Sequence, residues 1–332
     1  MTSRQFDRNV LDIDPEAVAR EIDNALVHTV ARGLRRRGVV VAVSGGIDSA
    51  VCAALAVRAL GPERVFALLL PESESDDGST ARGRELCEQF AMPYALEDIA
   101  PILEAAGCYQ RRDDAIREVF PEFGAGWKQK IGLADGLLER DRVSFFNLTV
   151  ESPAGERASK RMPADVYSRV VAATNMKQRT RKMIEYFYGD ALNYAVLGTP
   201  NRLEYELGFF VRGGDGLADL KPIGHLYKSQ VYALAEHLGV PQSIRSQPPS
   251  TDTYTLPQTQ EEFYFALPYR EMDLMLWAWE HDVKPADAAE AMGLESDQVE
   301  RVYRDIVGKR RMAERGLREA ILVEHVDVSE RP

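Results

Sequence analysis

The stretch from Val39 to Ala50 constrains this chain more than any other. Five β-branched or small apolar residues, Val39-Val40-Val41-Ala42-Val43, run directly into Ser44-Gly45-Gly46-Ile47-Asp48-Ser49. The apolar run predicts a strand buried on both faces, and Ala50 to Leu60 predicts a buried helix with no polar residue before Arg58. Two glycines in the turn permit positive φ and close approach of a ligand, while amides of the loop and first helical turn point above the strand end. Such a turn is a cradle for phosphate or pyrophosphate. Asp48 at its mouth would repel phosphate unless a cation lay between them, which argues for bound Mg²⁺.

Around this centre, helices and strands alternate. Val18, Ile22, Leu26, Val30 and Leu34 recur at helical spacing from Asp14-Pro15 to about Arg36, with Asp14 as cap and Pro15 at the first helical position. Val65 to Leu70 reads as a second strand, Ser79 to Phe90 as a helix, and Tyr94 to Ile99 as a third strand. The pattern predicts an α/β fold, a doubly wound parallel sheet with helices on both faces and ligands at the carboxyl ends of its strands. The segment from Pro71 to Thr80 is then expected on the active face.

With 332 residues, 45% of them hydrophobic, the chain can bury a large core, and it is expected to form one catalytic domain, residues 1–332. A net charge of −11 opposes extended nucleic-acid binding. Cys52, Cys87 and Cys108 have neither a disulfide framework nor zinc spacing. No membrane-length apolar run or signal-peptide pattern is present, so the expected location is cytoplasmic.

The alternation fails between Pro101 and Ala173, read as an inserted subdomain or lid, with a solvated decoration as the bland alternative. Val143 to Val150 is a candidate strand, and Arg157, Lys160 and Arg161 form a basic cluster. The insert is expected to shape the acceptor site, with these cations and an aromatic wall from Trp127 or Phe145. Regularity returns with a helix from Asn175 to about Tyr188, a strand from Tyr194 to Gly198, and a helix from Leu226 that stops at Gly239-Val240-Pro241. The C-terminal extension, residues 274–332, reads as helical. Its Pro285-to-Leu294 and Ser296-to-Val302 segments have a helix-turn-helix look, but acidic Asp297 and Glu300 on the second favour packing helices over a DNA reader.

The phosphate loop resembles the Ser-Gly-Gly-x-Asp-Ser loop of the N-type ATP pyrophosphatases. Together with Asn175-x-x-x-Arg179, Gly198-Thr199-Pro200-Asn201-Arg202-Leu203-Glu204, the Gly208-to-Ile223 segment and Lys228, it resembles the ammonia-dependent NAD synthetase family. The resemblance implies an adenine nucleotide alpha hydrolase-like fold and an AMP-forming carbon-nitrogen ligase. A carboxylate, that of nicotinic acid adenine dinucleotide, would be adenylated by ATP with release of pyrophosphate, and ammonia would then displace AMP. It implies Ser44, Gly45, Gly46, Asp48, Ser49, Thr199, Lys228 and Ser250 at ATP, Asp48 and Glu204 on Mg²⁺, and Asp48 and Lys228 in catalysis. Arg179, Arg212, Asp219 and Lys309 would hold the acceptor, and the protein would be a homodimer.

The sequence departs from the family where the acceptor is bound. Val211-Arg212-Gly213-Gly214-Asp215 replaces Thr-Lys-Tyr-Gly-Asp, exchanging a point charge for a guanidinium fork and losing an aromatic. Gln247-Pro248-Pro249-Ser250 loses a lysine, and Glu261-Glu262-Phe263-Tyr264-Phe265-Ala266 replaces Asp-Glu-x-x-Leu-Gly. A paralogue amidating another acid, or an adenylating sulfur or nitrogen transferase, is the alternative. The roughly forty residues before the loop are too few for a glutaminase, so ammonia is expected free or from a separate partner.

Overall fold

A computed structural model describes residues 6–133, 146–249, 254–265, 267–324 and 326. In chain order its elements are α1 (Pro15–His28), β1 (Val39–Ala42), α2 (Ile47–Leu60), β2 (Val65–Leu69), α3 (Asp77–Gln89) and β3 (Tyr94–Leu96). Then come α4 (Ala100–Ala105), α5 (Cys108–Arg117), β4 (Lys128–Leu133), β5 (Phe146–Glu151), β6 (Arg157–Arg161), α6 (Ala164–Leu192) and β7 (Ala195–Val196). The remainder is helical: α7 (Arg202–Leu207), α8 (Lys228–His237), α9 (Gln242–Arg245), α10 (Tyr269–Glu280), α11 (Pro285–Met292) and α12 (Ser296–Leu317).

Four strands form a parallel sheet in the order β3-β2-β1-β7, with Val39 opposite both Val65 and Ala195. The unbroken apolar run of β1 follows from burial on both sides. Val39, Val41 and Val43 enter a core with α1, α2 and α8, whereas Val40 joins Leu68, Leu70 and Leu103 in a core on the other face. Asp14 caps α1 as expected, accepting from the amides of Glu16 and Ala17 at 3.1 and 3.3 Å. That helix ends earlier than its periodicity suggests, passing into a π-type turn over Thr29–Gly33.

The connection from β3 to β7 is more regular than its sequence. β4, β5 and β6 form a separate antiparallel sheet, which packs against α5 and the first turns of α6 through Ile131, Leu148, Val150, Val166 and Val170. The helix expected from Asn175 begins at Ala164, so the end of the 101–173 stretch is the start of α6, the crossover helix to the main sheet. A buried ion network joins that helix to the turn after β2: Lys177 Nζ lies 2.9 Å from Glu72 and 2.6 Å from Glu74, and Arg112 also holds Glu74.

The C-terminal helices build a further core from Met272, Met275, Leu276, Met292, Val299, Val302 and Ile306. Gly293, at φ 69°, turns α11 into α12. The inward face of α12 is committed to packing. Among the described residues no helix is long and apolar enough to cross a membrane.

Candidate active site

A cleft of about 440 Å³ opens where the carboxyl ends of β1, β2 and β7 meet α6 and the segments around residues 208–215 and 254–264. Its floor is the turn after β1. Gly45 has φ 77°, and a Cβ there would come within 2.4 Å of the Ser79 carbonyl oxygen, so both the conformation and the space require glycine. Ser49 Oγ donates to Gly46 O at 3.0 Å and lies 3.2 Å from Ser44 Oγ, which accepts from the Gly46 amide at 3.3 Å. Gly46 is the cap residue of α2 and brings no side chain, so the first amides of that helix point at the cleft. Arg82 reaches over from α3, donating to Gly45 O at 3.3 Å and Ser79 Oγ at 3.0 Å, and adds a cation to the anion cradle.

The charged centre is assembled from three elements. Asp48 comes from the first turn of α2, Glu204 from α7 and Lys228 from the first residue of α8. Asp48 Oδ2 pairs with Lys228 Nζ, and Lys228 is only 2% exposed. Asp273, wholly buried, fixes the start of α8 by accepting from the amides of Lys228 and Ser229 at 3.1 and 2.7 Å. Burial pushes its carboxyl up to about 6, against the pull of those amides. Asn201 joins the two acidic residues. Its side chain donates to Asp48 Oδ1 at 3.0 Å and accepts from the Glu204 amide at 3.2 Å, while Glu204 Oε2 accepts from the Asn201 amide at 3.1 Å. This reciprocal cap starts α7 and aims Glu204 at Asp48.

The electrostatics follow from this crowding. Burial and the Asp48 carboxylate push Glu204 up to about 8, although Lys228 and hydrogen bonds from Asn201 and Gln260 oppose the rise. Burial disfavours the charge on Lys228, yet Asp48 and Glu204 outweigh it and hold the ammonium above its ordinary value. Two carboxyl groups held together by one asparagine can share a cation. The donor set suits Mg²⁺: hard oxygens from two separate elements, with the other positions left to water and phosphate oxygens. Among the described residues there is no cluster of three or more metal-binding side chains, so an all-protein cage is not offered.

Ser44, Gly45, Gly46, Asp48, Ser49, Thr199, Glu204 and Lys228 all line the cleft. Ser250 lies outside the described residues, as does Phe145. The four residues expected at the acceptor are not among the cleft's lining. Arg179 Nε donates to Arg212 O at 3.2 Å, and Arg212 donates to Arg318 O at 3.1 Å, both on the exposed surface. Asp219 accepts from the Val196 amide at 2.8 Å and the Tyr186 hydroxyl at 3.2 Å, tying down the end of β7. Lys309 donates to Tyr264 O at 2.7 Å and pairs with Asp305, and burial lowers its affinity for a proton. The basic cluster also turns away: Arg157 pairs with Glu151, and Lys160 donates to Val119 O at 3.0 Å and sits over the Phe120 ring. Trp127 packs on Phe123 in the core of the small sheet.

Other side chains complete the lining of the cleft. Tyr167, Tyr254, Phe263 and Tyr264 form the aromatic side of the cleft, with Phe146 stacked on Tyr167 at 4.4 Å. Arg181, Lys182 and Glu185 of α6 line it too, Lys182 paired with Glu185 at 2.6 Å. Asn201 was legible as an N-cap three residues before a glutamate. Arg82 and Gln260 carry no local pattern that would single them out.

The sequence model of the NAD synthase family matches residues 18–120 and 146–312 of the chain. The chain is 54% identical over 306 residues to the NH(3)-dependent NAD(+) synthetase of Rhizobium meliloti (strain 1021), covering 92% of this chain and 91% of that protein. It is 53% identical over 303 residues to the protein of the same description from Rhizobium rhizogenes, covering 91% of each. Its fold is that of the NMN synthetase from Francisella tularensis, with a TM-score of 0.63 over 95% of this chain and all of the other at 23% identity.

Proposed function

Because the chain belongs to the NAD synthase family, we infer that it is an ATP-dependent, AMP-forming ligase that converts nicotinic acid adenine dinucleotide to NAD with ammonia. The observation that carries this reading is the meeting of Asp48, Glu204 and Lys228 above a glycine turn whose helix amides face the same cleft. Asp48 and Glu204 would hold Mg²⁺, which when bound offsets phosphate charge and draws electrons from the α-phosphorus.

The residues then divide the work. The amides from Gly45 to Ser49, with Ser44, Ser49 and Arg82, bind the β and γ phosphates. Lys228 places a buried positive charge where the departing pyrophosphate gathers negative charge. A carboxylate oxygen of the acceptor bonds to the α-phosphorus as the bond to pyrophosphate breaks. Ammonia then bonds to the acyl carbon and loses a proton, AMP leaves with the bridging oxygen, and the amide remains. The aromatic side of the cleft excludes water, which would otherwise hydrolyse the acyl adenylate.

Sulfur transfer fits this chain poorly. Cys52, Cys87 and Cys108 are all buried, and burial pushes each thiol up, so none offers an accessible thiolate. The exposed positions of Arg179 and Arg212 suit an acceptor site completed by a second copy of the chain. Arg179, Met183 and Phe187 follow one stripe of α6, and Met183 and Phe187 are 55% and 62% exposed. We therefore take the working form to be a homodimer that buries this stripe.

The test is an acceptor panel. Nicotinic acid adenine dinucleotide, its mononucleotide and free nicotinic acid are each incubated with ATP, Mg²⁺ and ammonium, and AMP, pyrophosphate and amide are followed by mass spectrometry. Fastest amide formation with the dinucleotide is expected. Turnover only with another acid would overturn the choice of acceptor.

A further inference from the structure

β4 falls within residues 121–145, the internal stretch that the family's sequence model leaves unmatched. One edge of β4 pairs with β5, and the other is taken by the segment that crosses the cleft. Leu256 N donates to Gln129 O at 3.1 Å, and the Gln129 amide donates to Thr255 Oγ1 at 2.7 Å. Further along, Gln258 Nε2 donates to Ile131 O and Lys130 pairs with Glu262. The segment is held on its far side as well: Tyr264 OH donates to Leu207 O at 2.7 Å, and Tyr264 O accepts from Lys309. Between these anchorages Gln260 Nε2 donates to Glu204 Oε1 at 3.0 Å.

We propose that β4 is a positioning element of the reaction centre: it pins residues 254–265 across the cleft so that Gln260 fixes the orientation of the Glu204 carboxylate. The proposal rests on the reading of Glu204 as a magnesium carboxylate. With Oε2 held by the Asn201 amide and Oε1 by Gln260, Glu204 has lost its freedom to rotate, and a cation meets a carboxylate already aimed. An amide suits position 260 because it donates a hydrogen bond without adding a third negative charge beside Asp48 and Glu204. Anchoring the segment in advance also lowers the ordering cost that binding would otherwise incur. Gln260 is thus a positioning residue, and β4 acts through it.

Three variants of the full chain test this. Thr255→Val combined with Gln258→Leu removes two side-chain bonds to β4, Gln260→Ala removes the bond to Glu204, and Glu204→Gln removes the carboxylate. Hydrogen exchange reads the anchoring of residues 254–265. Calorimetry with Mg²⁺ and a non-cleavable α,β-methylene ATP analogue reads metal-dependent binding, and kcat and KM are measured in parallel. Gln260→Ala is expected to weaken Mg²⁺-dependent binding about tenfold and to lower kcat more than it changes KM for ATP, with exchange over 254–265 unaltered. The double variant is expected to speed exchange in that segment and to show the same weakened Mg²⁺ dependence. Thr255→Ser, which keeps the hydroxyl, should restore both when Gln258 is intact. If the double variant does not fold, Lys130→Ala loosens the same edge from the surface.

Unchanged exchange in the β4 variants would overturn the anchoring, and unchanged Mg²⁺ dependence in Gln260→Ala would overturn the positioning. The control separates these failures from a misreading of the site. If Glu204→Gln itself leaves Mg²⁺-dependent binding intact, the assignment of Glu204 fails and the role of Gln260 fails with it.

Discussion

Asn201 Nδ2 donates to Asp48 Oδ1 at 3.0 Å while the same side chain caps the helix that carries Glu204. One buried amide therefore sets the spacing of two carboxylates that come from different parts of the chain. Asn201→Ala should lose both contacts, lowering stability by about 1–2 kcal/mol through the lost cap and also impairing turnover. Asn201→Ser can still cap α7 but cannot reach Asp48, so it should recover most of the stability and little of the activity. Chemical denaturation and steady-state rates on the pair check this, and equal recovery of both would refute the bridging role.

Asp48→Asn should abolish pyrophosphate release in a protein that still folds, because the amide keeps the shape and loses the charge that recruits Mg²⁺. Lys228→Ala should lower kcat by the equivalent of about 2–4 kcal/mol, the usual scale for removing a charge-stabilising group from a reaction centre. Near-normal turnover of Asp48→Asn at low millimolar Mg²⁺ would reject the assignment.

Glu204 gives a pH signature. Its carboxyl is raised from 4.5 to about 8 in the fold, so between those values the native protein binds a proton that the unfolded chain does not. The associated stability is complete below about 4.5 and is lost as pH rises through about 8. In the absence of Mg²⁺ and ATP, the melting temperature of the native sequence should fall more steeply from pH 6 to 9 than that of Glu204→Gln. Parallel curves for the two proteins would contradict the raised value.

Gln129 is fully buried, and among the described residues neither of its side-chain polar atoms finds a hydrogen-bond partner. Val150, opposite it in the strand pair, and Ile131 and Leu148, paired two residues further along, belong to an apolar core. Gln129→Met should therefore stabilise the protein by about 1–3 kcal/mol, since an unpaired buried polar group costs that much. Its backbone bonds to Thr255 and Leu256 do not depend on the side chain. A destabilised variant in urea unfolding would show that the amide matters in a way the fold does not reveal.

The same residue shows why some of this architecture was hidden in the sequence. β1 and the phosphate turn were legible because burial on both faces demands an unbroken apolar run and Gly45 has no room for a Cβ. In β4 the inward position held by Gln129 breaks the alternation that marks a strand, and β6 is exposed at every residue, so it has no alternation to show. The start of α6 falls outside the main sheet's pattern because its apolar residues Val166 and Val170 serve the small sheet. Asp48 stands out from the phosphate turn itself, whereas Glu204 and Lys228 are picked out by the family resemblance and not by their local spacing. Gln260 and Lys309 depend on which segment crosses the cleft, a tertiary fact that no local spacing encodes.

The route of the carboxylate oxygen tests the central claim most directly. Nicotinic acid adenine dinucleotide labelled with heavy oxygen in its carboxylate is turned over with ATP, Mg²⁺ and ammonium, and the products are weighed by mass spectrometry. Adenylation at the α-phosphorus predicts one labelled oxygen in AMP, one retained in the amide of NAD, and unlabelled pyrophosphate. Label in inorganic phosphate accompanied by ADP, or AMP free of label, would contradict it.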